Sequence, residues 1–180
     1  MSEELSLDAD DFRLFGLSPG FDLDVTALDS QWRRLQAQAH PDRHVQGDSA
    51  SARLAMQWSM RINQAYRRLR DPLTRAAYLC ELRGASVEPR SDRPLPAEFL
   101  VQQMEWRESL SEASSTEAVQ ALQGEVDHAR DHCLALLASQ LDHSADVKVG
   151  ALEAVSTVQR LMFLSKFQQD IDRKVDALQT

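Results

Sequence analysis

Along almost the whole chain apolar residues recur every three or four positions, and no stretch shows the strict alternation of a half-buried strand. Val25, Leu28, Trp32 and Leu35 form one such run, and Leu54, Ala55, Ile62, Tyr66 and Leu69 form a second. At about 100° per residue each run lies on one face of a helix, so the sequence predicts an all-α fold. Breaks are few. Glycine and proline cluster at 16–20, around 40–47, at Asp71-Pro72 and between Gly84 and Pro96. Asp71 fits an N-cap with proline at the first helical position, starting a short helix through Leu82 that Gly84 would stop. The stretch GASVEPRSDRPLP has the composition of a linker and marks the domain boundary. Three longer helical patterns follow, at about 96–113, 116–141 and 145–178, with short breaks that make consecutive helices antiparallel: a three-helix bundle. The predicted organisation is an N-terminal domain over 1–83, a linker over 84–95 and a bundle over 96–180.

Charge is distributed unevenly. Residues 1–29 carry one Arg against eight acids, residues 30–75 nine Arg against three acids, and residues 76–180 ten bases against seventeen acids. The net charge of −8 argues against nucleic-acid binding by the whole chain, while the basic middle segment calls for an acidic partner of its own. Cys80 and Cys133 stand far apart and form no C-x-x-C, which excludes a zinc ribbon and a disulfide scaffold and favours the reduced cytoplasm. No apolar run reaches the roughly 18–20 residues of a membrane span. The acidic first dozen residues differ from a basic leader, so no membrane and no targeting segment is expected.

The sharpest local signal is His40-Pro41-Asp42, set between the two basic amphipathic helices. Proline fixes φ and forbids helix continuation, so it would hold His and Asp in a rigid turn at the tip of a helical hairpin. On its own the triplet reads more readily as an ordinary loop with a solvated histidine, since proline and aspartate are favoured in turns anyway. Its surroundings decide the matter: Phe12-x-x-Phe15-Gly16-Leu17 before it, then Ile62 to Pro72 as INQAYRRLRDP, and Arg75-Ala76-x-Tyr78-Leu79. This pattern resembles a J-domain. The resemblance implies that His40, Pro41 and Asp42, with Arg33, Arg34 and Arg43, engage a DnaK-type chaperone and promote its ATP hydrolysis. Ala39 departs from the aromatic residue common before the triplet.

Neither a Gly/Phe-rich region nor zinc-binding cysteine repeats follow. The chain instead continues through RAAYLCELRG and a linker into a bundle containing FLVQQMEWRESL. Over nearly its whole length this arrangement is similar to the HscB family of co-chaperones of iron–sulfur cluster assembly. The family resemblance implies two partners, the chaperone HscA for the J-domain and the scaffold IscU for the bundle. A general J-domain co-chaperone with a different client is the alternative.

The first bundle helix carries two apolar faces. With Leu100 at zero, Leu95, Phe99, Trp106 and Leu110 fall between about 220° and 280°, a narrow core face. Leu100, Val101, Met104, Glu105, Glu108 and Glu112 fall between about 0° and 140°, a second apolar face edged by carboxylates. That face either packs against the N-terminal domain or marks a partner site. In the last helix Leu161-Met162-Phe163-Leu164 cannot all be buried by one face. By resemblance the scaffold-binding set is Leu100, Val101, Met104, Glu105, Glu108, Glu112 and Phe163, although Phe163 could equally belong to the core.

Other chemistries are weaker. His128 and His132 are spaced i, i+4, but no third clear ligand accompanies them, so they read as solvated surface and no metal is expected. Cys133 falls in the apolar register of its helix as filler, and no cofactor is expected. His40 and Asp42 as an acid–base pair would lack an enclosing pocket or a nucleophile, so the chain is not read as an enzyme.

Overall fold

The computed structural model describes residues 8–39, 49–88 and 95–179. Among these residues the regular elements are seven helices: α1 (Asp11–Leu14), α2 (Val25–Ala39), α3 (Ser49–Arg70), α4 (Pro72–Leu82), α5 (Ala97–Glu112), α6 (Thr116–Asp142) and α7 (Val147–Leu178). No strand occurs among the described residues. The all-α expectation is met, and the helix limits agree with the sequence periodicity to within two residues. The chain divides into two compact units, Met1–Tyr78 and Leu79–Thr180. The division falls inside α4, ahead of the predicted linker, whose residues 89–94 lie outside the described set.

In the first unit α2 and α3 run antiparallel. Asp29 accepts a hydrogen bond from the Tyr66 hydroxyl at 2.8 Å, the Trp32 indole donates to Asn63 at 3.0 Å, and Gln36 meets Ser59, so residue numbers fall along α3 as they rise along α2. Leu28, Leu35, Ile62, Ala65 and Leu69 fill the seam, each at most 2% exposed. Capping follows the sequence signals: Asp24 accepts from the Ala27 amide and Asp71 from the Thr74 amide. Both left-handed glycines close Schellman turns. At the end of α1 Leu17 N donates to Phe12 O and Gly16 N to Arg13 O, with Gly16 at φ +66°. At the end of α4 Ala85 N donates to Cys80 O and Gly84 N to Glu81 O, with Gly84 at φ +84°.

The buried carboxylate of Asp11 organises the entry to this unit. Arg61 approaches it at 2.7 Å and Arg68 at 3.1 Å, Arg61 also donates to Ala9 O, and Tyr78 accepts from the Asp11 amide. Two cations offset the desolvation that a lone buried carboxylate would suffer.

The second unit is an up–down–up bundle. Helices α6 and α7 are antiparallel, pinned at one end by Thr157 donating to Gln140 and at the other by paired amides of Gln123 and Gln168, 2.7 Å each way. Between them lie Val119, Val126, Cys133, Leu137, Ala154, Val158 and Leu164. Gly150 is required by the close approach at their junction, because a Cβ there would lie 2.1 Å from the carbonyl oxygen of Gln140. Helix α5 lies parallel to α7 and rests on it through aromatic rings.

Candidate protein-interaction sites

Phe99 and Trp106 on α5 point inward, at 7% and 4% exposure, and meet Phe163 and Phe167 of α7. Phe99 stands edge-on to Phe163 at 5.7 Å, while Trp106 and Phe167 stack on it at 6.5 and 5.6 Å. The Trp106 indole donates to Glu125 of α6 at 3.1 Å, giving the large ring a polar partner as well as an apolar bed. Leu95 and Leu110, assigned to the same inward face, are half-buried.

The opposite face of α5 stays open. Leu100, Val101 and Met104 are 46%, 54% and 71% exposed, and Glu105, Glu108 and Glu112 are exposed around them. Because apolar side chains lie on two sides of α5, burying one set leaves the other in solvent. Phe163 is half-buried and shared: its inner edge joins the ring cluster, and the Arg107 guanidinium lies 5.5 Å over its face. Arg107 was missed by sequence reasoning. At 100° per residue it falls about 20° from Leu100, so the helical wheel held the signal.

Arg33 and Arg34 are exposed on α2, whereas His40, Pro41, Asp42 and Arg43 lie outside the described residues. Six arginines of the basic segment fall into two groups. Arg61, Arg68, Arg70 and Arg75 serve internal contacts, with Arg70 on Asp29 and Arg75 donating to Leu69 O beneath the Phe21 ring. Arg33 and Arg34 remain on the outer surface.

A family model described as the HSCB C-terminal oligomerisation domain matches residues 95–172, spanning α5, α6 and most of α7. A co-chaperone protein HscB homolog of Bordetella petrii is 45% identical over 163 residues, covering 90% of this chain and 94% of that protein. Its counterpart in Ralstonia nicotianae is 40% identical over 174 residues, covering 93% and 94%. The chain belongs to the HscB co-chaperone family. The chaperone HscB from Vibrio cholerae superposes with a TM-score of 0.80 at 34% identity, over 94% of this chain and 99% of that one. Human co-chaperone protein HscB superposes with a TM-score of 0.85 at 26% identity, over 93% and 82%.

No cluster of three or more His, Cys, Asp or Glu residues able to hold a metal occurs among the described residues. His128 and His132 are exposed, as the sequence suggested, and Cys133 is fully buried. Burial pushes the Cys133 thiol up and the Cys80 thiol up to about 11, so neither supplies a thiolate at neutral pH. No described helix is long and apolar enough to cross a membrane.

Proposed function

We propose that this protein is a cytoplasmic co-chaperone of iron–sulfur cluster assembly, without catalytic activity of its own, that holds the scaffold IscU on its bundle and presents it to HscA. The observation that carries this reading is the open apolar face of α5. Leu100, Val101 and Met104 form its apolar centre, Glu105, Glu108 and Glu112 its charged rim, and Phe163 its edge. An apolar patch ringed by charge has the anatomy of a protein interface. In the J-domain, His40, Pro41 and Asp42 engage HscA, with Arg33, Arg34 and Arg43 steering an acidic surface into register. The functional domains follow the sequence division: 1–83, a linker over 84–95, and 96–180. Holding both partners on one chain raises their effective concentration and couples delivery to ATP hydrolysis.

The deciding experiment is the HscA ATPase rate with IscU, with and without this protein. Stimulation is expected to vanish in Asp42→Asn while IscU binding persists. Leu100→Ala with Met104→Ala is expected to do the reverse, weakening IscU binding by tenfold or more while stimulation by the J-domain alone remains. Loss of both activities in both variants would refute two separate surfaces. Stimulation indifferent to IscU would leave a general J-domain co-chaperone with another client.

A further inference from the structure

Between the last turns of α2 and the first half of α3 lies an apolar cavity of about 280 Å3, lined by Leu14, Leu35, Ala39, Leu54, Trp58 and Ile62. An apolar cavity of roughly 150 Å3 already admits benzene. Small residues face it: Ala39 from α2, and Ser51 and Ala55 from α3. Leu14, Leu35 and Ile62 make a sealed floor, each 2% exposed, while Leu54, 49% exposed, stands at the mouth. Among the described residues Gln38 and Ser51 are the polar side chains on its wall, too few to hold a cluster of waters well. An apolar guest suits it better.

Two observations indicate whose side chain that guest is. Ala39 immediately precedes His40, so the cavity wall is continuous in sequence with the proposed chaperone-binding turn. The surrounding segment, residues 30–75, carries nine arginines against three acids, and Arg33 and Arg34 lie exposed on the same helix as Ala39. We infer that the cavity receives one leucine, methionine or phenylalanine side chain projecting from an acidic segment of the chaperone that the His-Pro-Asp turn engages. The inference rests on the J-domain reading given above. The basic surface orients the segment, and the apolar anchor slows its release.

The test titrates the full-length protein into purified HscA and reads ATPase stimulation, comparing the parent with Ala55→Leu, which fills the cavity, and Ser51→Met, which blocks it from the exposed side. Filled variants that keep their melting temperature are expected to need at least tenfold more protein for half-maximal stimulation, with IscU affinity unchanged. Tenfold corresponds to about 1.4 kcal/mol. If Ala55→Leu overpacks and lowers the melting temperature, Ser51→Met carries the comparison. The Trp58 indole NMR signal of the parent is also expected to shift when HscA is added. Half-maximal concentrations within twofold of the parent, or an unmoved Trp58 signal under stimulating conditions, would overturn the cavity's role and leave the J-domain reading intact. A parent that fails to stimulate HscA would overturn both.

Discussion

Asp11 shows at the scale of one residue how a helical surface protein still depends on buried charge. Its carboxylate is inaccessible to solvent and bridges Arg61 and Arg68, joining the four-residue α1 to α3. Removing Asp11 leaves Arg61 and Arg68, 21% and 34% exposed, without their anion, at a cost of about 1–3 kcal/mol. Asp11→Ala is expected to lose about that much in urea unfolding, whereas Glu108→Ala, on an exposed face, is expected to change stability by less than about 0.5 kcal/mol. The ion network was not legible in the sequence. The excess of arginine over 30–75 was visible, yet which arginines face a buried acid 50 or more residues away depends on tertiary placement. Leu100, Val101 and Met104, by contrast, could be placed from helical angles alone. Phe163 could not, since it serves both the ring cluster and the open edge.

Cys80 gives a residue-level dependence on pH. Its thiol rises from 9.0 to about 11 in the folded protein because burial disfavours the thiolate, with Arg83 opposing the effect. The folded state therefore holds the proton more tightly than the unfolded state. Between about pH 9 and 11 the unfolded chain binds fewer protons, so stability falls as pH rises through that window and is unaffected below it. Iodoacetamide at pH 8 is expected to leave both cysteines unmodified until denaturant is added. Rapid labelling of the native protein would show that the thiols are accessible.

At the level of elements, the helical periodicity and the cap residues determined most of what is seen. Asp71-Pro72 and Gly84 bound α4 as expected, and short breaks gave an antiparallel α6 and α7. What periodicity could not supply is the closeness of the α6–α7 junction. Gly150 reads as an unremarkable interior glycine, a residue that ordinarily weakens a helix relative to alanine. Here the order is reversed, because the added methyl would meet a carbonyl oxygen of α6 and the Ser144 side chain. Gly150→Ala is expected to lower stability by about 1–3 kcal/mol despite its better helix propensity, read as a shift in the urea midpoint. A stabilised variant would show that the two helix ends can separate without loss.

For the whole molecule, the proposal demands that both surfaces belong to one chain. Mixing Asp42→Asn with the Leu100→Ala, Met104→Ala variant supplies an intact copy of each surface on different molecules. The mixture is expected not to restore scaffold-dependent ATPase stimulation, because linkage and not mere presence creates the high effective concentration. Full recovery would mean that the surfaces act independently. The charge division along the chain is compatible with that demand, since an acidic protein with one basic segment is suited to different partners at different places.

The ring cluster behind Phe163 bears on how a client would be gripped. Held by Phe99, Trp106 and Phe167 on one side and Arg107 on another, that side chain is hemmed in before any partner arrives. Met104, 71% exposed and unbranched, keeps its rotamer freedom. A stiff jaw beside a pliant one can keep hold of a partner whose contour varies.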